Sequence, residues 1–344
     1  MPKLDHIIIA FSLVCAALLF AIITFKYFWK GGSRLRSGIL NAVTCFFTVV
    51  FAFFILEFYF YNFPQSDQFG HTWSAQRWMQ KYWNPINSMG FRDIEHSASD
   101  LYRKKIVVVL GDSFAAGYGI KSIDDRFSDR LQKKLGKTWI VLNVARNGWG
   151  TEDEYRALSS LKIRPDVIIL TYYINDILSA ASKHGYKDPF KLKKPNRLIL
   201  PLIRHSYFFN YYYWKIIKFK NVYELRSNVQ NFLDFCFRNK KIWETHEKEL
   251  MAIINYAKKN GTKIIFIGFP NLADIGRTKR YADKVERLFK KNNIFTLGLE
   301  PVFSGRKVSD LVVNHMDSHP SVEVHKKIAD MIYEKSFKKN PGPR

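Results

Sequence analysis

The chain is poor in cysteine and poor in negative charge. Only Cys15, Cys45 and Cys236 occur in 344 residues, and the first two fall in apolar segments. That excludes a disulfide framework, and no cysteine pair has metal-ligand spacing. Cysteine usage therefore does not reveal the redox compartment. Against 54 basic residues there are 30 acidic ones, a formal net charge of +24. Such an excess suits a nucleic acid, an anionic membrane or another polyanion. The lysines are scattered, however, without a long basic tract, zinc-finger spacing or an RNA-binding signature. Biased composition is the plainer explanation, and nucleic acid is not expected as a partner.

Charge is missing altogether from residues 7–25, and only Glu57 interrupts residues 38–63. Each run is long enough to cross roughly 30 Å of hydrocarbon as a helix. Tyr27, Phe28 and Trp29 follow the first, and Tyr59 and Tyr61 lie near the end of the second; membrane interfaces favour such rings. No small-x-small cleavage pattern follows the first run, which argues against a removable signal peptide. The expectation is a transmembrane hairpin over residues 1–63, with helices near 7–29 and 38–62, held by membrane lipid. Buried core helices are the plain alternative. Lys26, Lys30, Arg34 and Arg36 lie in the connection, and short basic loops favour the cytoplasm. The large C-terminal part is then extracytoplasmic, on a chain of the plasma or inner membrane.

Beyond residue 63 the chain is rich in alternation. Residues 64–103 read as a lead-in. Apolar strands are expected at 105–112, 139–145, 165–173, 262–270 and 294–299. Amphipathic helices are expected at 125–136, 153–162, 245–261, 279–293 and 321–337. Continuous apolar strands separated by helices argue for a parallel sheet covered on both faces. This defines a domain over 104–337 and a tail at 338–344. Residues 180–243 form an insertion with a dense aromatic stretch, "SYFFNYYYWKIIKF". It reads equally as a lid or packing element, or as a surface for membrane or glycan.

Ligands of such sheets sit at the carboxyl ends of the strands. The first strand ends in Gly111-Asp112-Ser113-Phe114. A serine hydroxyl is a poor nucleophile without an adjacent base, and the best base is a histidine held by a carboxylate. Asp317 and His319, in "NHMDSHPSVEVH", supply that pair; with Ser318 between them on a turn, both can point one way. His315 and His325 compete, but neither has an aspartate at that spacing. An acyl intermediate also needs oxyanion donors. Gly148 follows the second strand and Asn175 the third, and the Ser113 amide is a third donor. A turn glycine and a capping asparagine are the plain alternatives. Asp112 reads as a structural acceptor that holds the turn. Arg92 is a candidate substrate contact, against a structural ion pair with Asp93 or Glu95.

The ordered set resembles the SGNH (GDSL) hydrolase superfamily over roughly residues 85–337. Gly111-Asp112-Ser113-Phe114 is similar to its nucleophile block, Gly148 and Asn175 to its oxyanion residues, and Asp317 with His319 to its terminal acid–base block. "INSMGFRD" is similar to a segment upstream of the nucleophile in some bacterial members. Tyr173 stands where the third block usually begins with glycine, and one residue rather than two separates Asp317 from His319. The resemblance implies a flavodoxin-like three-layer α/β/α sandwich and a serine esterase working through Ser113, His319 and Asp317. Such chemistry needs no metal or organic cofactor, and none is expected. The expected substrate is an O-acyl ester, foremost acetyl groups on a cell-envelope glycan. One alternative is an O-acyltransferase that takes its acyl group from a membrane donor protein. The other is a non-catalytic, membrane-tethered binding domain.

Overall fold

The computed structural model describes residues 33–187, 195–220 and 222–338, with further positions between 11 and 24. By internal contacts the chain forms two compact units. One comprises Met1–Gln65, Phe69–Trp78 and Lys193–Lys220; the other comprises Ser66–Gln68, Met79–Leu192 and Asn221–Arg344.

The first unit is built on the helix Ser33–Asn62. Its portion Ser37–Asn62 is long and apolar enough to cross a membrane, in line with the second expected span. The first expected span, 7–29, lies partly outside the described residues. Its described positions between Phe11 and Thr24 are helical, and the Phe11 ring stacks on Phe54 at 3.8 Å. The aromatic stretch of the insertion forms the helix Tyr207–Lys220. It packs on the long helix through Phe60–Tyr211 (4.6 Å) and Phe53–Phe209 (5.4 Å).

The second unit holds the sheet. Five parallel strands, β1 (Lys105–Gly111), β2 (Trp139–Ala145), β3 (Val167–Tyr173), β4 (Lys263–Phe269) and β5 (Phe295–Thr296), run in the order β2-β1-β3-β4-β5. β-Branched residues dominate β1, where Val107 to Leu110 are wholly buried, as a strand covered on both faces requires. Helices Phe127–Leu135 and Val322–Ile332 pack together, and so do Thr151–Ser160, Ile177–Lys183 and Lys240–Asn260. Right-handed crossovers place these two groups on opposite faces of the sheet. The result is the flavodoxin-like three-layer α/β/α sandwich that the resemblance implied.

The order of connection reverses at β1: the chain moves one way to β2 and then back across β1 to β3. This is the topological switch point where open α/β sheets bind ligands. Gly111 pairs with Ala145 on one side and Thr171 on the other. The loops after β1, β2 and β3 therefore leave the sheet at one edge.

Candidate active site

The turn after β1 is held by its neighbours. Asp112 Oδ1 accepts the Phe114 N–H at 2.8 Å and starts a single helical turn, Ser113–Ala116. Gly117 closes that turn with a left-handed φ of 73°. Gly111 has no room for a side chain: a Cβ there would lie 2.4 Å from Thr171 Oγ1 and 2.8 Å from its carbonyl oxygen. The smallness of the segment is thus a packing requirement that brings Ser113 to the end of the sheet.

The far end of the chain meets it. Asp317–Pro320 is a short strand, β7, paired antiparallel with β6 (Val312–Asn314). The expected turn around Ser318 is therefore a strand, and alternation along it puts Asp317 and His319 on one side. His319 Nδ1 lies 2.5 Å from Asp317 Oδ1, and His319 Nε2 lies 2.8 Å from Ser113 Oγ. Asp317 is fully buried. Burial pushes its carboxyl up, but the neighbouring His319 and the hydrogen bonds from His319 and Ser66 outweigh this and hold it below the ordinary value. An ionised Asp317 only accepts, so Nδ1 carries the imidazole proton. Nε2 is then left to accept from the Ser113 hydroxyl.

Gly148 is exposed in the loop after β2 with a left-handed φ of 77°, and nothing approaches within 4 Å of where a Cβ would stand. Asn175 lies in the turn after β3, its Oδ1 buried without a hydrogen-bond partner among the described residues. Tyr173, where the resemblance led us to expect glycine, is buried and stacks its ring on Phe114 at 4.0 Å. The rings of Phe114 and Tyr118 flank His319 at 5.2 and 4.8 Å.

Arg92 is not placed as a substrate contact. Its side chain is buried, at 1% exposure. It donates to the carbonyls of Gly117 (2.6 Å), Ile120 (2.7 Å) and Tyr82 (2.9 Å). It therefore ties down the loop that follows the Ser113 turn. Of the two acidic neighbours weighed for it, Glu95 is bonded to Ser88, and Asp93 faces Arg126 and the Asn143 amide. Burial and then the nearby Arg126 cation push the Arg92 pKa down to about 9, against the opposing pull of Asp129. His325 is likewise structural: Nδ1 accepts the Phe127 N–H at 3.2 Å, and burial leads the causes that lower its pKa to about 3. His315 is exposed.

Sequence reasoning missed Ser66 and Gln68. The Ser66 hydroxyl donates to the second Asp317 oxygen, Oδ2. Gln68 Oε1 accepts the Ser318 N–H at 2.8 Å, and the Gln68 N–H bonds the Met316 carbonyl at 2.9 Å. Gly119 was also missed as a site residue. Its φ is 86°, and a Cβ would lie 3.0 Å from Asp317 Oδ2 and 2.5 Å from Val313 Cγ2.

Ser113, His319 and the buried Asp317 thus stand in hydrogen-bonded series at the switch point of this sandwich. The sequence model of the GDSL-like lipase/acylhydrolase family matches residues 109–327, and the chain belongs to that family. Membership implies esterase or acylhydrolase activity. Among solved structures, the chain is similar to a lipolytic G-D-S-L protein from Veillonella parvula, with 12% identity, 68% of this chain and 99% of that one covered, and a TM-score of 0.41. It is similar to the acetyl xylan esterase AlAXEase at 16%, 67%, 100% and 0.41 in the same order. The esterase EstA from Pseudoalteromonas sp. gives 15%, 69%, 98% and 0.41. No curated protein matches the chain.

Proposed function

We propose that the protein is a serine ester hydrolase that removes O-acyl groups, foremost acetyl, from a cell-envelope glycan on the extracytoplasmic side of the membrane. Ser113 Oγ attacks the ester carbonyl while His319 Nε2 takes its proton. The Gly148 and Ser113 amides and the Asn175 side chain hold the oxyanion. His319 returns the proton to the departing sugar oxygen, leaving an acyl-serine. Water then attacks that ester with His319 again as base, and the acid departs with Ser113 restored. Asp317 stays ionised throughout and keeps the imidazole in the required tautomer.

The observation that carries this reading is the unbroken relay from Asp317 through His319 to Ser113, at 2.5 and 2.8 Å. The choice of a sugar rests on the half-buried Trp149 beside Gly148. Carbohydrate rings stack on such faces. A serine-directed phosphonate is expected to label the wild-type protein, and Ser113→Ala is expected to stay unlabelled while folded. A folded wild type that resists the probe overturns the enzyme reading. A panel of O-acetylated glycans should then release free acetate. Acyl-glycan made from an added donor without free acid would replace hydrolysis by transfer.

A further inference from the structure

The first unit contains a polar contact that a membrane helix would not carry without use. Glu57 lies in the apolar helix, five residues before its end at Asn62. Its carboxylate accepts the backbone N–H groups of Tyr207 (2.8 Å) and Phe208 (3.1 Å) and the Ser206 hydroxyl. These are the free donors at the start of the helix Tyr207–Lys220, so Glu57 caps that helix from a different part of the chain. An ionisable residue inside hydrocarbon needs partners of this kind.

The contact also fixes a depth. The 26 residues of Ser37–Asn62 extend about 39 Å, against roughly 30 Å of hydrocarbon. About one turn at each end therefore reaches the headgroups when the helix is centred. Glu57, about 7 Å from the end, sits at the hydrocarbon boundary. Phe53, about 14 Å from the end, lies inside it. Phe53 meets the rings of Phe208 and Phe209 at 5.6 and 5.4 Å. The first turn of the aromatic helix must share that level. Trp73 fastens the neighbouring turn: its backbone N–H donates to Asn210 Oδ1 at 2.8 Å, and its Nε1–H donates to the Ile203 carbonyl at 2.9 Å.

The same segment also carries exposed aliphatic side chains. Leu198 is 86% exposed, and Leu202 and Ile216 are about half exposed. Residues 195–217 include Arg197, Arg204 and Lys215 and no acidic residue. Aliphatic side chains beside cations, with aromatic rings between, suit an acyl–headgroup boundary bearing phosphate. We infer that residues 195–217 are a membrane-seated element, with Leu198, Leu202 and Ile216 in contact with lipid of the bilayer that the helix Ser37–Asn62 crosses.

The test is photocrosslinking of the full chain in vesicles of phosphatidylethanolamine and phosphatidylglycerol. p-Benzoylphenylalanine is placed at Leu202 or Ile216, and at Glu323 as an exposed control on the second unit. All three positions face outward, so folding is not at risk, and phosphonate labelling of Ser113 reads the enzyme separately in the same samples. Lipid adducts several-fold more abundant at 202 and 216 than at 323 are expected. Adduct yields equal to the control, or adducts joining two chains instead of chain and lipid, overturn the inference.

Discussion

Replacing Asp112 by asparagine should stabilise the protein at neutral pH and leave it unchanged in acid. Asp112 is fully buried next to Ser113. Burial pushes its carboxyl from an ordinary 3.8 up to about 6, against the restraining Phe114 N–H and His319. In the unfolded chain the proton leaves near pH 4; in the folded protein it stays until about pH 6. Across that window the folded state holds the extra proton, so stability falls as pH rises. At about 1.4 kcal/mol for each pH unit between the two, the loss above pH 6 is about 3 kcal/mol. Asparagine keeps an oxygen for the Phe114 N–H but carries no charge. Glu154 and Asp176, both buried and both raised first by burial and then by like charges that include Asp112, lose a like-charged neighbour, which acts in the same direction. Urea unfolding of the full chain in detergent, at pH 4 and pH 7.5, separates the states. The variant should match wild type at pH 4 and exceed it by up to about 3 kcal/mol at pH 7.5. An equal difference at both values would refute the reasoning.

Ser66→Ala should act on rate through Asp317. A hydrogen bond to a buried carboxylate contributes about 1.5–3 kcal/mol, which is about tenfold to a hundredfold in kcat if expressed in the transition state. KM should change little, and the acid limb of the pH profile should move up, because one of the bonds that depress the Asp317 carboxyl is lost. Ser66→Thr should recover most of the rate; an Ala variant with wild-type kcat and pH profile removes Ser66 from the machinery. Gly111→Ala drives a methyl into the Thr171 backbone. Overpacking of that kind costs about 1–3 kcal/mol, a fall of roughly 3–10 °C in Tm for a domain of this size. Thermal unfolding within a degree of wild type would mean that the strands part more readily than their register suggests.

The sandwich was legible because its information is local. "KIVVVLG" and "VIILTYY" are continuous apolar runs, and each became a strand within two residues of the expected limits. The helices between them carry their own caps, such as Asn239 ahead of Lys240–Asn260 and Gly261 behind it. The insertion was not legible in the same way. Its aromatic density was clear, but what those rings face depends on Phe53, Glu57 and Phe60, some 150 residues earlier. No periodicity within the segment encodes that pairing. The strand at Asp317–Pro320 was missed because "DSHP" has no strand-like composition. Its pairing with Val312–Asn314 comes from the turn geometry, not from β-propensity.

The site divides along the same line. Ser113, Gly148 and Asn175 are strand-end residues, and a strand end is visible in sequence as the point where apolar residues give way to small and polar ones. Asp317 and His319 are visible because a carboxylate two residues from a histidine can orient it, although a strand and not the expected turn at Ser318 puts them on one side. The residues that hold these groups in place carry no such mark. Ser66 lies 251 residues from the carboxylate it bonds, in a stretch that reads as a lead-in. Arg92 shows why a charged residue near a site motif misleads. Its functional look comes from its charge, but the structure uses its geometry: a planar fork that gathers carbonyls from Tyr82, Gly117 and Ile120. Three carbonyls turned inward near Ser113 need several donors from one rigid group, and lysine, with a single nitrogen, could not span them. Arg92 is thus required beneath the loop after Ser113 by backbone accounting, and a substrate anion would have to compete with those carbonyls for the same nitrogens.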